Sequence, residues 1–159
     1  MATKPKICAR CSGAMNPAML DKVTAADGPL RLNLAGMPVF SCAKGHRAPV
    51  HRDFMVWLLH EVRDRHAPAI PGGEAKGMLF KKYHCACGAE LPGQAARNAG
   101  FGFDLSHPEA GAFKLEIEVP VYKCGSCGRE VARSAKELAG LVPTAVAALN
   151  DAAGFPHSG

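Results

Sequence analysis

Aromatic side chains make up only 6% of this 159-residue chain, with a single tryptophan and two tyrosines. A core short of large rings is thin, and a small protein then needs other staples. Long apolar runs are missing too. The longest, FMVWLL at residues 54–59, is far too short to cross a bilayer, and MATKPKICARC at the start lacks the apolar stretch of a secretory leader. The expectation is a soluble, cytoplasmic chain with no membrane partner. No phosphate-binding loop is present either: DGPLR and IPGGEAKG lead to no GK[ST] after a strand. His51, His60, His66 and His107 have no partner visible in the sequence, and the first three are expected on or beside a helix surface. Without a nucleophile–base pair, independent catalysis is not expected.

Charge of one sign is scarce in only one half. Residues 1–70 hold ten Lys or Arg against five Asp or Glu, and residues 71–159 hold nine against nine, so the net +5 lies in the first half. Hydrophobic residues reach 48% against 21% charged, which points to a folded chain.

Seven cysteines are there, and six fall in tight pairs: Cys8 and Cys11, Cys85 and Cys87, Cys124 and Cys127. Close pairs in a reducing compartment are metal ligands more often than disulfides, and an odd count argues the same way. Cys42 stands alone in FSCAKGHR. An internal repeat resolves it. Pro38-Val39-Phe40-Ser41-Cys42 matches Pro120-Val121-Tyr122-Lys123-Cys124, and upstream Leu30, Leu32 and Leu34 match Phe113, Leu115 and Ile117 once one extra residue is allowed in the first copy. That residue falls at Ala35-Gly36, where a glycine in a strand predicts a β-bulge. Both copies alternate apolar and polar as half-buried strands do, with Lys114, Glu116 and Glu118 on the wet side.

Each copy runs from a cysteine pair through a hairpin back to a cysteine, then into a helix. The first helix lies within residues 48–66, with Val50, Phe54, Leu58 and Val62 at i, i+4 spacing and apolar residues nearly all round, which reads as a buried packing helix. The second starts at Ser134, with Glu137 at capping-box spacing, and Pro143 is expected to split it. Residues 67–78 read as a Pro/Gly linker and 154–159 as a frayed tail, leaving units at 1–66 and 79–153.

Structural zinc takes four Cys or His ligands in a tetrahedron. Cys85, Cys87, Cys124 and Cys127 supply one set. In the first unit the repeat points a few residues past Cys42, where His46 stands, so Cys8, Cys11, Cys42 and His46 form the second set. Gly88 and Gly128 follow the pairs, where a zinc-binding turn needs positive φ. Two zinc ions are expected; iron is an alternative at the all-cysteine set. Cys85-x-Cys87 is tighter than the usual pair, and the neighbouring His84 is an alternative to Cys85.

The stretch VPVYKCGSCGRE, with a preceding cysteine pair, hairpin and following helix, resembles the YgiT-type zinc ribbon, the metal-binding half of a bacterial antitoxin family. The resemblance covers residues 83–133 well and 6–52 more loosely. It implies a small α+β fold of two pseudo-repeated zinc-ribbon hairpins, each followed by a helix. No helix-turn-helix accompanies it, so the antitoxin's DNA binding does not carry over. The function expected is a double zinc-ribbon adaptor or accessory subunit acting through protein contacts, with Phe54 and Trp57 as anchors. Nucleic-acid binding through the basic first half is the alternative, with Lys44, Arg47 and Arg52 at or near the first knuckle.

Overall fold

The computed structural model describes residues 6–156; the terminal residues of the expected first unit and tail, with Lys4, lie outside them. The chain is small α+β, with a mostly antiparallel sheet and two α-helices. β1 (Met15–Asp27) and β2 (Leu30–Cys42) form one long hairpin, and β6 (Arg97–His107) and β7 (Gly111–Lys123) form another. The two hairpins join through β2 and β7, giving the order β1-β2-β7-β6. Short strands β3 (Arg47–Pro49) and β8 (Glu130–Ala132) return along the ends of β2 and β7. A separate two-stranded hairpin, β4 (Glu74–Lys76) and β5 (Lys82–His84), stands off the main sheet.

Period-2 alternation builds one buried face. On β7, Phe113, Leu115, Ile117, Val119 and Val121 all point inward while Lys114 and Glu116 are exposed. Across the junction Leu32 pairs with Ile117 and Leu34 with Leu115, all essentially solvent-free. Helix α1 (Phe54–His60) continues as a π-helical turn over Glu61–His66, and α2 (Ala135–Ala152) packs with it into the same core. Phe54, Leu58 and Val62 are buried on the first helix, and Leu138, Val142, Val146 and Leu149 on the second. Val50 precedes the helix.

Three details differ from expectation. Gly36 does take positive φ, +71°, yet the β1–β2 register is the same on both sides of it. Both strands slip together. Inward positions step from Leu34 to Met37 on β2 and from Val23 to Leu20 on β1, so the extra residue is matched rather than bulged. Pro143 does not split α2, which runs unbroken for 18 residues. The proline sits on the exposed side, where water can take the carbonyl freed by its missing N–H. Phe155, in the expected tail, is 2% exposed and belongs to the core.

The Pro/Gly-rich stretch between the halves packs against the body. Ala67 and Ile70 are buried, Ala132 donates its N–H to Pro71 O, and Gly73 N–H donates to Ala132 O, both at 2.8 Å.

Candidate metal centres

Because β2 and β7 run antiparallel and each leads into a cysteine knuckle, the two cysteine clusters sit at opposite ends of the sheet. In the first, the Cys8 Sγ lies 3.5 Å from His46 Nδ1, and the Cys11 Sγ 3.7 Å from the Cys42 Sγ. In the second, Cys85 and Cys127 sulfurs are 3.7 Å apart and Cys87 and Cys124 sulfurs 3.5 Å. Within each set all four donor atoms lie within 4.8 Å of one another, so each set could hold a metal ion. These separations are far beyond a disulfide bond of about 2 Å. They match the edge of a tetrahedron with a metal–sulfur bond of about 2.3 Å, which is roughly 3.8 Å. All seven cysteines are free thiols.

Backbone turns position the donors. Cys124 and Cys8 open the same turn: the N–H of Gly128 donates to Cys124 O, and that of Ser12 to Cys8 O, both at 2.9 Å. Gly128 has φ +76° and Ser12 +60°, so a serine holds the left-handed position that glycine fills in the second cluster. Cys42 and Cys85 open a tighter turn, closed by Gly45 N–H to Cys42 O at 2.9 Å and Gly88 N–H to Cys85 O at 2.8 Å. Here the fourth ligand can come early or late. Cys87 stands two residues on and His46 four residues on. This tight turn is why Cys85-x-Cys87 reaches one metal position, and His84 is not in the set. Each cluster therefore combines one turn of each kind, and His46 belongs to the kind that matches Cys85–Cys87 rather than Cys124–Cys127.

The donors are partly sheltered. Cys8, Cys42, Cys85 and Cys124 are buried, Cys11 and His46 half-buried, and Cys87 and Cys127 exposed. Met15 and Phe40 pack around the first cluster, Leu91 and Val131 around the second. Backbone N–H groups of Cys127 and Ser126 outweigh burial and bring the Cys124 thiol down to about 6. At Cys8 burial pushes up, but the N–H groups of Arg10 and Cys11, with Cys11 and His46 side chains, bring it to about 6. Cys127 goes the other way. The Arg129 N–H favours its thiolate, but burial and three neighbouring sulfurs push it up to about 11. One thiolate per cluster, Cys8 and Cys124, thus forms readily, whereas the raised thiols of Cys11 and Cys127 need a cation to ionise at neutral pH.

The remaining expected residues separate. Lys44, Arg47 and Arg52 are exposed, and Arg47 donates to Ala153 O at 3.5 Å. Arg47 and Arg52 join Lys6 and Arg10 in lining a cleft of about 340 Å³ beside the first cluster, with no acidic residue among the described residues of its wall. Phe54 is 1% exposed and offers no surface anchor, because the core takes the ring against Trp57 and Phe113. Trp57 is half-buried, edge-on to His107 at 4.8 Å. The spare histidines have partners after all. His51 and His107 both meet Asp53, His60 meets Asp64, and His66 meets Glu61. His107 is buried, and its Nδ1 accepts from the N–H groups of Glu109 and Ala110 at 3.0 Å, which leaves the ring proton on Nε2 facing Asp53. Sequence spacing gave no signal for that contact, because His107 lies 54 residues from Asp53.

No protein-family model matches the chain, and no curated protein or solved structure is significantly similar to it.

Proposed function

We propose that the protein is a non-catalytic, double zinc-ribbon adaptor or accessory subunit, carrying two structural zinc ions and acting through a protein partner. The observation that carries this is the pair of four-donor sets at tetrahedral spacing. Cys₃His and Cys₄ are zinc's structural donor sets, and four protein ligands leave no open position for a reacting water. Iron is less suited to the set containing His46.

The sheet register supports reading the two halves as diverged copies. The sequence match makes Leu32 the counterpart of Leu115, and Leu34 the counterpart of Ile117. Leu32 pairs with Ile117 and Leu34 with Leu115, while Asn33 pairs with its own counterpart Glu116. Two copies related by a twofold axis through Asn33 and Glu116 give this crossed pattern. We read it as two ribbon hairpins packed side by side, with the two kinds of knuckle turn exchanged between them.

The contact surface we favour is the cleft beside the first zinc site. Its basic wall of Lys6, Arg10, Arg47 and Arg52 accompanies Ile7 and Val56, 55% and 58% exposed, so it presents apolar and cationic groups together. That mixture suits an acidic segment of a partner protein more than a nucleic acid, which would ask for stacking aromatics. Nucleic-acid binding is the second reading, favoured by the same basic wall. Affinity purification from native cells is the test. One protein partner, lost when Arg47 and Arg52 become Glu, supports the adaptor. Salt-sensitive retention on DNA or RNA, lost in that variant, supports the alternative.

A further inference from the structure

Three consecutive large apolar side chains stand in the open at the tip of the β4–β5 hairpin. Met78, Leu79 and Phe80 are 100%, 91% and 84% exposed, against 55–65% for the other exposed large apolar residues. No described residue covers them. Water meets the whole of this surface, which is unfavourable unless something takes it up.

The loop end of the hairpin is cationic, and its one acidic residue, Glu74, stands at the base of β4 opposite His84. Lys76, Lys81 and Lys82 are all exposed, and no acidic residue occurs from Ala75 to Tyr83. Among the described residues the one ion pair to these lysines is Lys82 with Glu90 at 3.9 Å, and both of those side chains are more than half exposed. The hairpin is firmly based. Tyr83 donates its hydroxyl to Glu137 at 2.7 Å, Arg133 lies over the Tyr83 ring at 4.4 Å, and Cys85 follows β5 directly into the second metal cluster. Lys76 pairs with Lys82 across the hairpin, so the collar of charge sits immediately below the apolar tip.

We propose that this tip is a peripheral membrane contact: Met78, Leu79 and Phe80 enter the boundary between headgroups and acyl chains of an anionic bilayer, and Lys76, Lys81 and Lys82 rest against the lipid phosphates. A convex wedge with three uncovered side chains needs a deep, matching pocket in a protein. A lipid interface accepts it without any preformed shape, and cations one or two residues from the wedge then fall at headgroup level. The contact is shallow, so a search for long apolar runs does not find it.

The test is sedimentation of the full-length, metal-loaded protein with vesicles. The protein is expected to sediment with phosphatidylglycerol–phosphatidylcholine vesicles and to stay in solution with phosphatidylcholine alone. Each Lys→Gln change at 76, 81 or 82 should weaken binding about fivefold. The double change Leu79→Ser, Phe80→Ser should weaken it at least about tenfold, with metal content and circular dichroism unchanged. Failure of the wild type to sediment with anionic vesicles would overturn the proposal, as would wild-type sedimentation of the double variant. A concentration-dependent dimer that the double variant dissolves, without vesicle binding, would overturn it in favour of a second copy on the tip.

Discussion

Asn33 and Glu116 face each other across the junction of the two hairpins, and Asn33 Nδ2 donates to Glu116 Oε1 at 2.9 Å. Thr24 completes the row by donating its hydroxyl to Asn33 Oδ1 at 2.7 Å. Asn33 is only 8% exposed, so its amide depends on these partners. It is a polar clasp set between the apolar pairs Leu32–Ile117 and Leu34–Leu115.

Asn33→Asp should therefore destabilise the fold by about 1–3 kcal/mol at neutral pH, since it sets two carboxylates directly opposite each other. The loss should shrink in acid, where one carboxylate takes a proton and can donate. Urea unfolding of both proteins at neutral and acidic pH measures the difference.

Metal removal should act on the ends of the sheet first. The knuckles hold β3 against β2 and β8 against β7, so chelation is expected to open amides of residues 47–49 and 130–132 before the Leu32–Ile117 centre. Hydrogen exchange with and without chelator follows the order.

In the metal-free, reduced protein with its knuckles still folded, the summed contribution of the Cys8, Cys124 and Cys127 thiols to stability should peak near pH 9. Cys8 and Cys124 fall from the ordinary thiol value of 9.0 to about 6 in the folded chain. Their contribution is absent below about 6, grows as pH rises, and is complete above 9. Cys127 rises to about 11, so its favourable contribution holds below 9 and is lost as pH climbs through 11. Thermal unfolding across this range gives the profile. A flat profile would contradict the thiolate assignments.

Ser134→Ala should cost about 1 kcal/mol, because the Ser134 hydroxyl accepts from Glu137 N–H at 3.2 Å at the start of α2. Thermal denaturation reads this directly.

The clusters were legible because metal ligands tend to come in close pairs; the repeat pointed to His46, although the turn that carries it is of the Cys85–Cys87 kind rather than that of Cys124–Cys127. The wet side of β7, the helix start at Ser134 and the glycine turns at Gly88 and Gly128 were legible for similarly local reasons. What was hidden is long-range. Nothing local to Leu32 announces that it will meet Ile117, so the merging of two hairpins into one sheet came only from the structure. Phe54 misled because a broad apolar helix looks the same in sequence whether core or partner covers it. Pro143 misled because a helix breaker is tolerated where water can replace the lost hydrogen bond.

The central claim is two four-ligand sites, and metal content per chain tests it most directly. Purified protein should carry two zinc ions, His46→Ala about one, and His84→Ala two, since His84 lies outside the second set. Two tightly held zinc ions in His46→Ala, or loss of one in His84→Ala, would contradict the account.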